Sequence, residues 1–341
     1  MKWPATFGTE VFPAAHYIQR VIQQQGVDRK PLFNSTHTLV GIAVARTAPA
    51  RWVPYAAASA VIAANLPDLD FLALGNMPSY LEHHRGFTHT FIGVPLLSVA
   101  LAASMYFLTG NFWRTLTIVL IAMATHPLLD YANTYGLRPF LPFDGTWYYG
   151  DTLFIIDPYF DVILLAGILA GQYLKSSMRI ITWVSLALAI IYIGFRVELR
   201  NNSRAQLASF TARLPGFQKS AVMPRMLDPW TWDGIVETTD EVRKVSIDAL
   251  DGVGLELARM PKRHPTQISE AAATAQSASV LLGFARFPVV RVEGMQSGYR
   301  VTILDFRFYR EDTNSSLAAE VILDNSLHVV RESLAFDQII N

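Results

Sequence analysis

The sequence contains no cysteine, and only 16% of its 341 residues are charged. The absence of thiols excludes disulfide bonds and thiolate metal sites, so any metal ligand must be histidine, aspartate or glutamate. Soluble chains average about 25% charged residues, and the deficit here is concentrated in residues 90–199, which hold most of the long apolar runs. The net charge is zero, so no bulk basic field indicates a nucleic-acid partner. This composition favours a membrane protein.

Hydropathy divides residues 36–195 into apolar segments that we interpret as six membrane helices. The clearest is 90–109, where twenty residues without a charge are enough to cross a hydrocarbon core of about 30 Å. The stretch 36–66 contains interrupting arginines and prolines, so a single kinked helix is the alternative to two shorter ones there. The predicted helices are 36–48, 52–66, 90–109, 113–130, 159–174 and 180–195.

The other segments carry ordinary amounts of charge. Residues 1–34 lack the apolar core of a cleavable signal peptide, and residues 197–213 extend the last helix with polar residues. Further on, turn-bounded and alternating runs predict strands at 234–239, 244–248, 279–284, 288–293, 299–309 and 318–331. The sequence therefore predicts an N-terminal segment (1–34), an all-α transmembrane bundle of about six helices (35–199) and a small soluble α+β domain (200–341).

Five of the eight histidines, with three aspartates, lie at the ends of the apolar segments. Imidazole and carboxylate are ligands of borderline divalent metals, and placing them beside membrane-length apolar runs is costly unless they have a function. When six helices are threaded up and down, all of these residues lie on one side of the membrane. They therefore predict a metal site at one mouth of the bundle. The residues are His37, Asp68, Asp70, His83, His84, His89, His126 and Asp130.

Two of the motifs also have simple structural explanations. His126 and Asp130 are four apart on a predicted helix, so they share one face and can hold one ion. A capped helix end with a polar pair facing the headgroups is the alternative. Asp68 and Asp70 follow Pro67 in a turn that directs both carboxylates to the same side, although ordinary helix termination explains them equally well.

The HHRGFTH segment is more specific, because three histidines within seven residues are hard to explain as incidental. Gly86 permits a tight turn, Thr88 can cap the next helix, and Arg85 is a fixed cation suited to an anionic oxygen. Seven or eight ligands would be enough for two ions, which about 3.5–4 Å apart suit phosphate-ester hydrolysis. Four more aspartates near the 131–158 loop could add a ligand or general base, although the aromatics of that loop equally indicate interfacial anchoring: Asp144, Asp151, Asp157 and Asp161.

The order of these motifs resembles the YdjM-type family of bacterial inner-membrane proteins, described as metal-dependent hydrolases and in some cases as LexA-binding. The motifs are THTLVG around His37, NLPDLD, HRGFTH and HPLLD, and they cover about residues 34–195. A more distant similarity to zinc-dependent phospholipases C directs the expected substrate towards phosphodiesters or phospholipids. The resemblance implies that the metal ligands are His37, Asp68, Asp70, His84, His89, His126 and Asp130, with His83 the less certain of its pair.

Our first hypothesis is an integral membrane hydrolase that holds one or two divalent ions, with zinc as the expected metal. A metal-activated water would attack an ester or phosphoester of a lipid-like substrate at the bilayer surface, with Arg85 and Asp70 as catalytic residues and Arg85 stabilising anionic charge. A non-catalytic binding or regulatory membrane protein with a structural metal site is the second hypothesis. A metal-ion or proton transporter is the third, but its site is expected near mid-membrane.

The predicted short turns on the side opposite the metal site are basic and contain no acidic residue, so by the positive-inside rule they are cytoplasmic. We therefore expect the metal site and the C-terminal domain to lie outside the cytoplasm, at the inner membrane of a bacterium. Three arginines beyond the last helix argue the other way: Arg196, Arg200 and Arg204. The basic residues of the turns are Arg46, Arg51, Arg114, Lys175 and Arg179.

Overall fold

The computed structural model describes residues 35–48, 53–262 and 266–339. The predicted N-terminal segment 1–34 and Arg51 of the predicted basic turn lie outside the described residues. Helices occupy the first part of the described chain: α1 (Ser35–Thr47), α2 (Ala56–Asn65), α3 (Met77–His83), α4 (Gly93–Thr109), α5 (Phe112–Ala132), α6 (Pro158–Tyr173) and α7 (Met178–Thr211). Strands dominate the second part, with two short helices in the middle. In chain order these elements are β1 (Phe217–Pro224), β2 (Thr231–Thr238), β3 (Glu241–Asp248), β4 (Gly252–Pro261), the helices α8 (Gln267–Ala273) and α9 (Gln276–Phe284), β5 (Pro288–Met295), β6 (Gly298–Asp305), β7 (Ser315–Leu323) and β8 (Val329–Ile339).

Fewer helices can cross a bilayer than the sequence predicts. Within the described ranges, three are long and apolar enough, namely Ala56–Ala73, Phe112–Ala132 and Lys175–Thr211. A fourth span results if Met77–His89 and Gly93–Thr109, which are bent by 73° at their junction, form one broken span. The prediction of six membrane-spanning helices is therefore wrong. The reason is length, because the 13 residues of α1 and the 16 of α6 extend only about 20 and 24 Å at 1.5 Å per residue.

Small residues bring α1, α2 and α5 close together. A side chain at Gly41 of α1 would place its Cβ 2.9 Å from the carbonyl oxygen of Ala60 on α2. The alanines of α2 pack in turn against α5, where Ala122 and Met123 are fully buried. Since close-packed helices hold their ends in fixed positions, this contact determines where the residues at the start of α1 and the end of α2 meet α5.

The second part of the chain consists of two four-stranded antiparallel sheets, β1-β2-β3-β4 and β5-β6-β7-β8. Their inner faces form one core, to which Ile235 and Met260 contribute from the first sheet and Val289 and Leu304 from the second. The outer face of the first sheet is covered by the end of α7, and that of the second by α8 and α9. Helix, sheet, sheet and helix therefore form four layers.

This β-rich arrangement corrects the prediction of a small α+β domain. Segment 279–284, predicted as a strand, belongs to helix α9, because its apolar residues Ala278, Leu281 and Phe284 face the second sheet at helical spacing. Strands β1 and β4 were not predicted. Helix α7 continues without a break to Thr211, as the polar helical pattern predicts, and so passes the expected boundary at residue 199. The division into domains at that residue stays a prediction.

Candidate metal centre

Four buried or partly buried side chains that could bind a metal meet at one point, and they come from three elements. Asp68 lies in the 3-10 turn Leu66–Ala73 that follows α2, and His89 ends the 3-10 turn Phe87–His89. His126 and Asp130 are one turn apart on α5. One ligand atom of each of the four lies within 4.8 Å of the others. We refer to these residues as the tetrad.

The distances within the tetrad suit a single small cation. Nε2 of His126 lies 3.3 Å from Asp68 Oδ1 and 3.4 Å from Asp130 Oδ2. Nε2 of His89 lies 3.5 Å from Asp68 Oδ1 and 3.3 Å from Asp130 Oδ2. The two Nε2 atoms are 3.1 Å apart. Two imidazoles and two carboxylates are a donor set that zinc and similar divalent ions bind.

A hydrogen bond behind the tetrad orients His126 for metal binding. Nδ1 of His126 lies 2.6 Å from the carbonyl oxygen of Ala64. A carbonyl can only accept, so Nδ1 carries the proton and Nε2 presents its lone pair to the centre, as in a metal-ligating histidine. Oδ2 of Asp130 is buried and has no hydrogen-bond partner among the described residues. Since an unpaired buried charge is costly, the residues present fit a bound cation.

Asp68 is the most accessible member of the tetrad. The side chains of His89 and His126 are fully buried and that of Asp130 nearly so, whereas the Asp68 side chain is 28% exposed. Asp70 and His84, on the same side, are also slightly accessible. A ligand from outside would therefore approach past Asp68.

The other predicted ligands flank the tetrad. The ring of His37 stacks on His126 at 3.8 Å, with its Nε2 3.7 Å from Asp130 Oδ1. On the side of Asp68, His84 Nδ1 lies 2.8 Å from Asp70 Oδ1, and His84 Nε2 lies 3.7 Å from Asp68 Oδ1. The structure thus brings together all seven residues that the family resemblance implies as ligands. That each of them binds metal stays a prediction.

His83 lies apart from the centre. Its side chain is exposed, and its Nδ1 lies 3.1 Å from the main-chain oxygen of Ser79 on the same helix. The two neighbouring histidines therefore differ in position, because α3 ends at His83 and the chain turns away at His84. His84, which the resemblance favours as the ligand, is the one that faces Asp68.

Arg85 is directed into the protein. Its Nη2 donates to Asp130 Oδ1 at 2.9 Å, and its Nη1 donates to Asn133 Oδ1 at 2.9 Å and to the carbonyl oxygen of Gly136 at 3.2 Å. The guanidinium is buried. Arg85 therefore holds Asp130 on the side away from the tetrad. Asn133, which sequence reasoning missed, offers no motif signal beyond its place three residues after Asp130.

Two of the four further aspartates contact helical elements rather than the tetrad. Asp157 caps α6 by accepting from the main-chain nitrogens of Tyr159 and Phe160. Asp161 accepts hydrogen bonds from the hydroxyls of Ser35 and Thr36 at the start of α1. Both acids therefore have structural partners, and Asp161 ties the beginnings of α1 and α6 together beside the centre.

The other two aspartates lie in the loop after α5. Asp144 accepts hydrogen bonds from Thr146 within this loop. Asp151 pairs with Arg286 of the β-rich part at 2.7 Å. Burial raises the pKa of the Asp151 carboxyl, and the neighbouring Arg286 opposes the rise. Neither of these acids belongs to the tetrad.

The β-rich part packs on the segments that carry the centre. Nη1 of Arg307 donates to the carbonyl oxygen of Thr134 at 2.7 Å. Trp147 and Phe284 meet edge to face at 5.3 Å, and α9 packs on α3 through Leu81. The loop that follows α5 therefore lies between the metal centre and the β-rich part, on the side where the sequence predicts the C-terminal domain.

Comparisons with known proteins agree with the motifs. The YdjM inner membrane protein family model matches residues 33–202, which include the whole tetrad. The uncharacterized protein YfhP of Bacillus subtilis (strain 168) is 33% identical over 171 residues, or 47% of this chain and 51% of YfhP. The chain thus spans about half the length of this curated relative. No solved structure matches. Family and candidate spans together support a membrane location.

Proposed function

Residues 33–202 of this chain belong to the YdjM inner membrane protein family, and on this premise we propose that the protein is a membrane hydrolase with a divalent metal, zinc, in the tetrad. The observation that carries the proposal is the convergence of Asp68, His89, His126 and Asp130 within 4.8 Å of one another. A zinc ion bound there would lower the pKa of a bound water towards about 7 and polarise the ester group of a substrate.

The side chains around the tetrad have separate proposed roles. All three hydrogen bonds of Arg85 go to protein oxygens, one of them on Asp130. This favours a role for Arg85 in positioning Asp130 over direct contact with the charge of a substrate. Asp70 and His84 are hydrogen-bonded to each other on the side of Asp68, where a general base is needed. We propose that His84 accepts a proton from the attacking water at Nε2, while Asp70 orients the ring through Nδ1 and stabilises the imidazolium.

The proposed reaction is hydrolysis of a phosphoester. The oxygen of one water bonds to phosphorus, the ester P–O bond breaks, and the leaving alcohol takes up a proton. The tetrad offers four potential ligands, and three of them are enough to hold one catalytic zinc and leave a position for the water. The transporter hypothesis is less favoured, because the tetrad residues lie at helix ends and on short turns.

Metal analysis and hydrolysis by the purified protein test the proposal together. We expect about one equivalent of bound zinc and zinc-dependent hydrolysis of bis(p-nitrophenyl) phosphate. His126→Ala removes a fully buried ligand and should abolish both. His83→Ala is the matched control, because this neighbouring histidine is exposed and should leave both unchanged. A protein without metal, or equal hydrolysis by the two variants, would refute the proposal. Zinc uptake into sealed proteoliposomes without hydrolysis would support the transporter instead.

We also propose that the metal centre and the β-rich part face away from the cytoplasm. Support comes from the basic residues Arg46, Arg114 and Lys175, which lie at or next to the opposite ends of their helices. Because the chain has no cysteine, a single Ser326→Cys substitution in the exposed turn before β8 provides one reactive thiol. Labelling by a membrane-impermeant maleimide in intact spheroplasts is expected, and labelling only after lysis would reverse the orientation.

A further inference from the structure

The opening of the metal centre is bordered by apolar side chains. The two 3-10 turns that carry Asp68 and His89 contact each other, and each presents one large exposed apolar side chain. These are Leu72, two residues after Asp70, and Phe87, two residues before His89. A site for a small hydrophilic phosphoester has no need of such a border, since exposed apolar surface at a binding site favours an apolar ligand or a membrane.

An aromatic ridge, which we define as Phe91, Phe140 and Phe143, extends this apolar surface. The rings of Phe91 and Phe140 contact each other at 5.2 Å, and the main-chain nitrogen of Phe91 donates to the carbonyl oxygen of Pro139 at 3.1 Å. The nitrogen of Phe143 donates to the carbonyl oxygen of Phe140 at 3.0 Å, so the turn is ordered by its own main chain. The Phe143 side chain is nevertheless 85% exposed.

The ridge lies next to an exposed apolar face of α4. Ile92, Leu96 and Val99 are exposed and fall on one face of that helix, four and three residues apart. Helix α4 belongs to the broken candidate span that Met77–His89 and Gly93–Thr109 form together, and lipid is the medium that suits an exposed apolar face there. Phe91 directly precedes this face, beside the metal centre, and aromatic side chains are enriched at the level of the headgroups. The ridge thus continues the apolar face of α4 towards the metal centre.

We propose that the aromatic ridge inserts into the headgroup–acyl boundary, and that the substrate of the metal centre is a membrane amphiphile with a phosphoester headgroup. This inference rests on the proposed function for its chemistry and adds the substrate class. The acyl chains stay in the bilayer along the ridge and Phe87, while the phosphoester reaches the tetrad past Asp68, its exposed member. Lateral access of this kind removes the need to extract the acyl chains into water, which is unfavourable for every methylene group.

The insertion of the ridge can be measured without any catalytic activity. The cysteine-free chain allows a spin label at Phe143→Cys in vesicles of phosphatidylcholine and phosphatidylglycerol. Leu96→Cys on the apolar face of α4 and Ser326→Cys in an exposed turn of the β-rich part serve as the two references. We expect the label at position 143 to be relaxed by oxygen more than by a water-soluble nickel complex, as at position 96. Accessibility equal to that of position 326 would overturn the inference.

The substrate class is tested with a matched pair of compounds, phosphatidylglycerol in vesicles and its deacylated glycerophosphodiester in solution. We expect the zinc-loaded protein to hydrolyse the lipid at least about tenfold faster, and Phe143→Ser to reduce lipid hydrolysis by about tenfold, since one buried phenyl contributes about that factor. Phe107→Ser is the control, because Phe107 is 90% exposed at the opposite end of α4; it should leave lipid hydrolysis unchanged.

The outcomes separate the two levels of the proposal. Equal hydrolysis of both compounds would overturn the amphiphile inference and leave the hydrolase standing. Hydrolysis of neither compound, nor of bis(p-nitrophenyl) phosphate, would refute the hydrolase and with it the substrate class. The spin-label result would then still decide whether the ridge enters the bilayer. A variant at position 143 is expected to fold, because its side chain is almost fully exposed.

Discussion

Nη1 of Arg307 donates a hydrogen bond to the carbonyl oxygen of Thr134 at 2.7 Å, across the contact between the β-rich part and the loop after α5. Arg307 is itself fixed by Asp305, with an ion-pair distance of 2.7 Å and almost no exposure on either side chain. Thr134 follows Asn133, which binds Arg85, and Arg85 binds Asp130. The β-rich part is therefore connected to the metal centre through a short series of buried polar contacts.

Replacing Arg307 should destabilise the protein and loosen the metal centre. Arg307→Ala leaves the Asp305 carboxylate buried without its cation, which costs about 3–5 kcal/mol. We expect a clear fall in the thermal unfolding midpoint together with weaker zinc binding, measured by competition with a fluorescent chelator. Arg331→Ala is the control, since its ion pair with Glu320 lies on the surface and contributes about 0–1 kcal/mol. Equal midpoints for the two variants would contradict this account.

Arg85 should control metal affinity without touching the metal. Residues that orient a ligand typically contribute 10–100-fold to affinity, so Arg85→Ala should weaken zinc binding by about that factor. Arg85→Lys should restore little, because one ammonium group cannot donate in parallel to Asp130 and Asn133 as the planar guanidinium does. Isothermal titration of the purified variants measures this. Full restoration by lysine would show that charge alone matters.

Metal removal should lower the stability of the native protein. A ligand that binds only the folded state stabilises it by about 2.7 kcal/mol at a free concentration one hundred times its Kd. The unfolding midpoint should therefore rise when zinc is added to chelator-treated protein. Asp130→Asn should lose most of this shift, whereas His328→Ala, an exposed histidine of the β-rich part, should retain it. A midpoint that does not respond to zinc would contradict a metal bound in the tetrad.

Gly41 should be intolerant of even a methyl group. The Cβ of an alanine there would lie 2.9 Å from the carbonyl oxygen of Ala60, so α1 and α2 would have to separate, at a cost of about 1–3 kcal/mol. Gly194→Ala on α7 is the matched control, since nothing lies within 4 Å of its added Cβ. Thermal unfolding in detergent compares them. We also expect Gly41→Ala to weaken zinc binding, because His37 lies one turn away on α1.

Much of the metal centre could be predicted because its residues belong to patterns that span only a few positions in the sequence. His126 and Asp130 are four apart on one helix, and Asp68 follows a helix-ending proline, so local geometry already limits where each side chain can point. The number of membrane spans could not be predicted as well. The apolar run around α1 reads as a crossing segment, but its 13-residue helix is too short to cross and packs against α2 and α5.

The sequence by itself determined which elements carry chemistry: the helix positions, the polar extension of α7, and the seven histidines and aspartates at helix ends. These follow from hydropathy, helical periodicity and residue type, which act over a few residues. Only the tertiary structure decided that four of the seven residues form the tetrad and that Arg85 supports Asp130. The tertiary structure also decided that segment 279–284 forms a helix packed on a sheet, and that the β-rich part lies beside the loop after α5. Those arrangements depend on packing between residues far apart in the chain, for which local sequence patterns carry no signal.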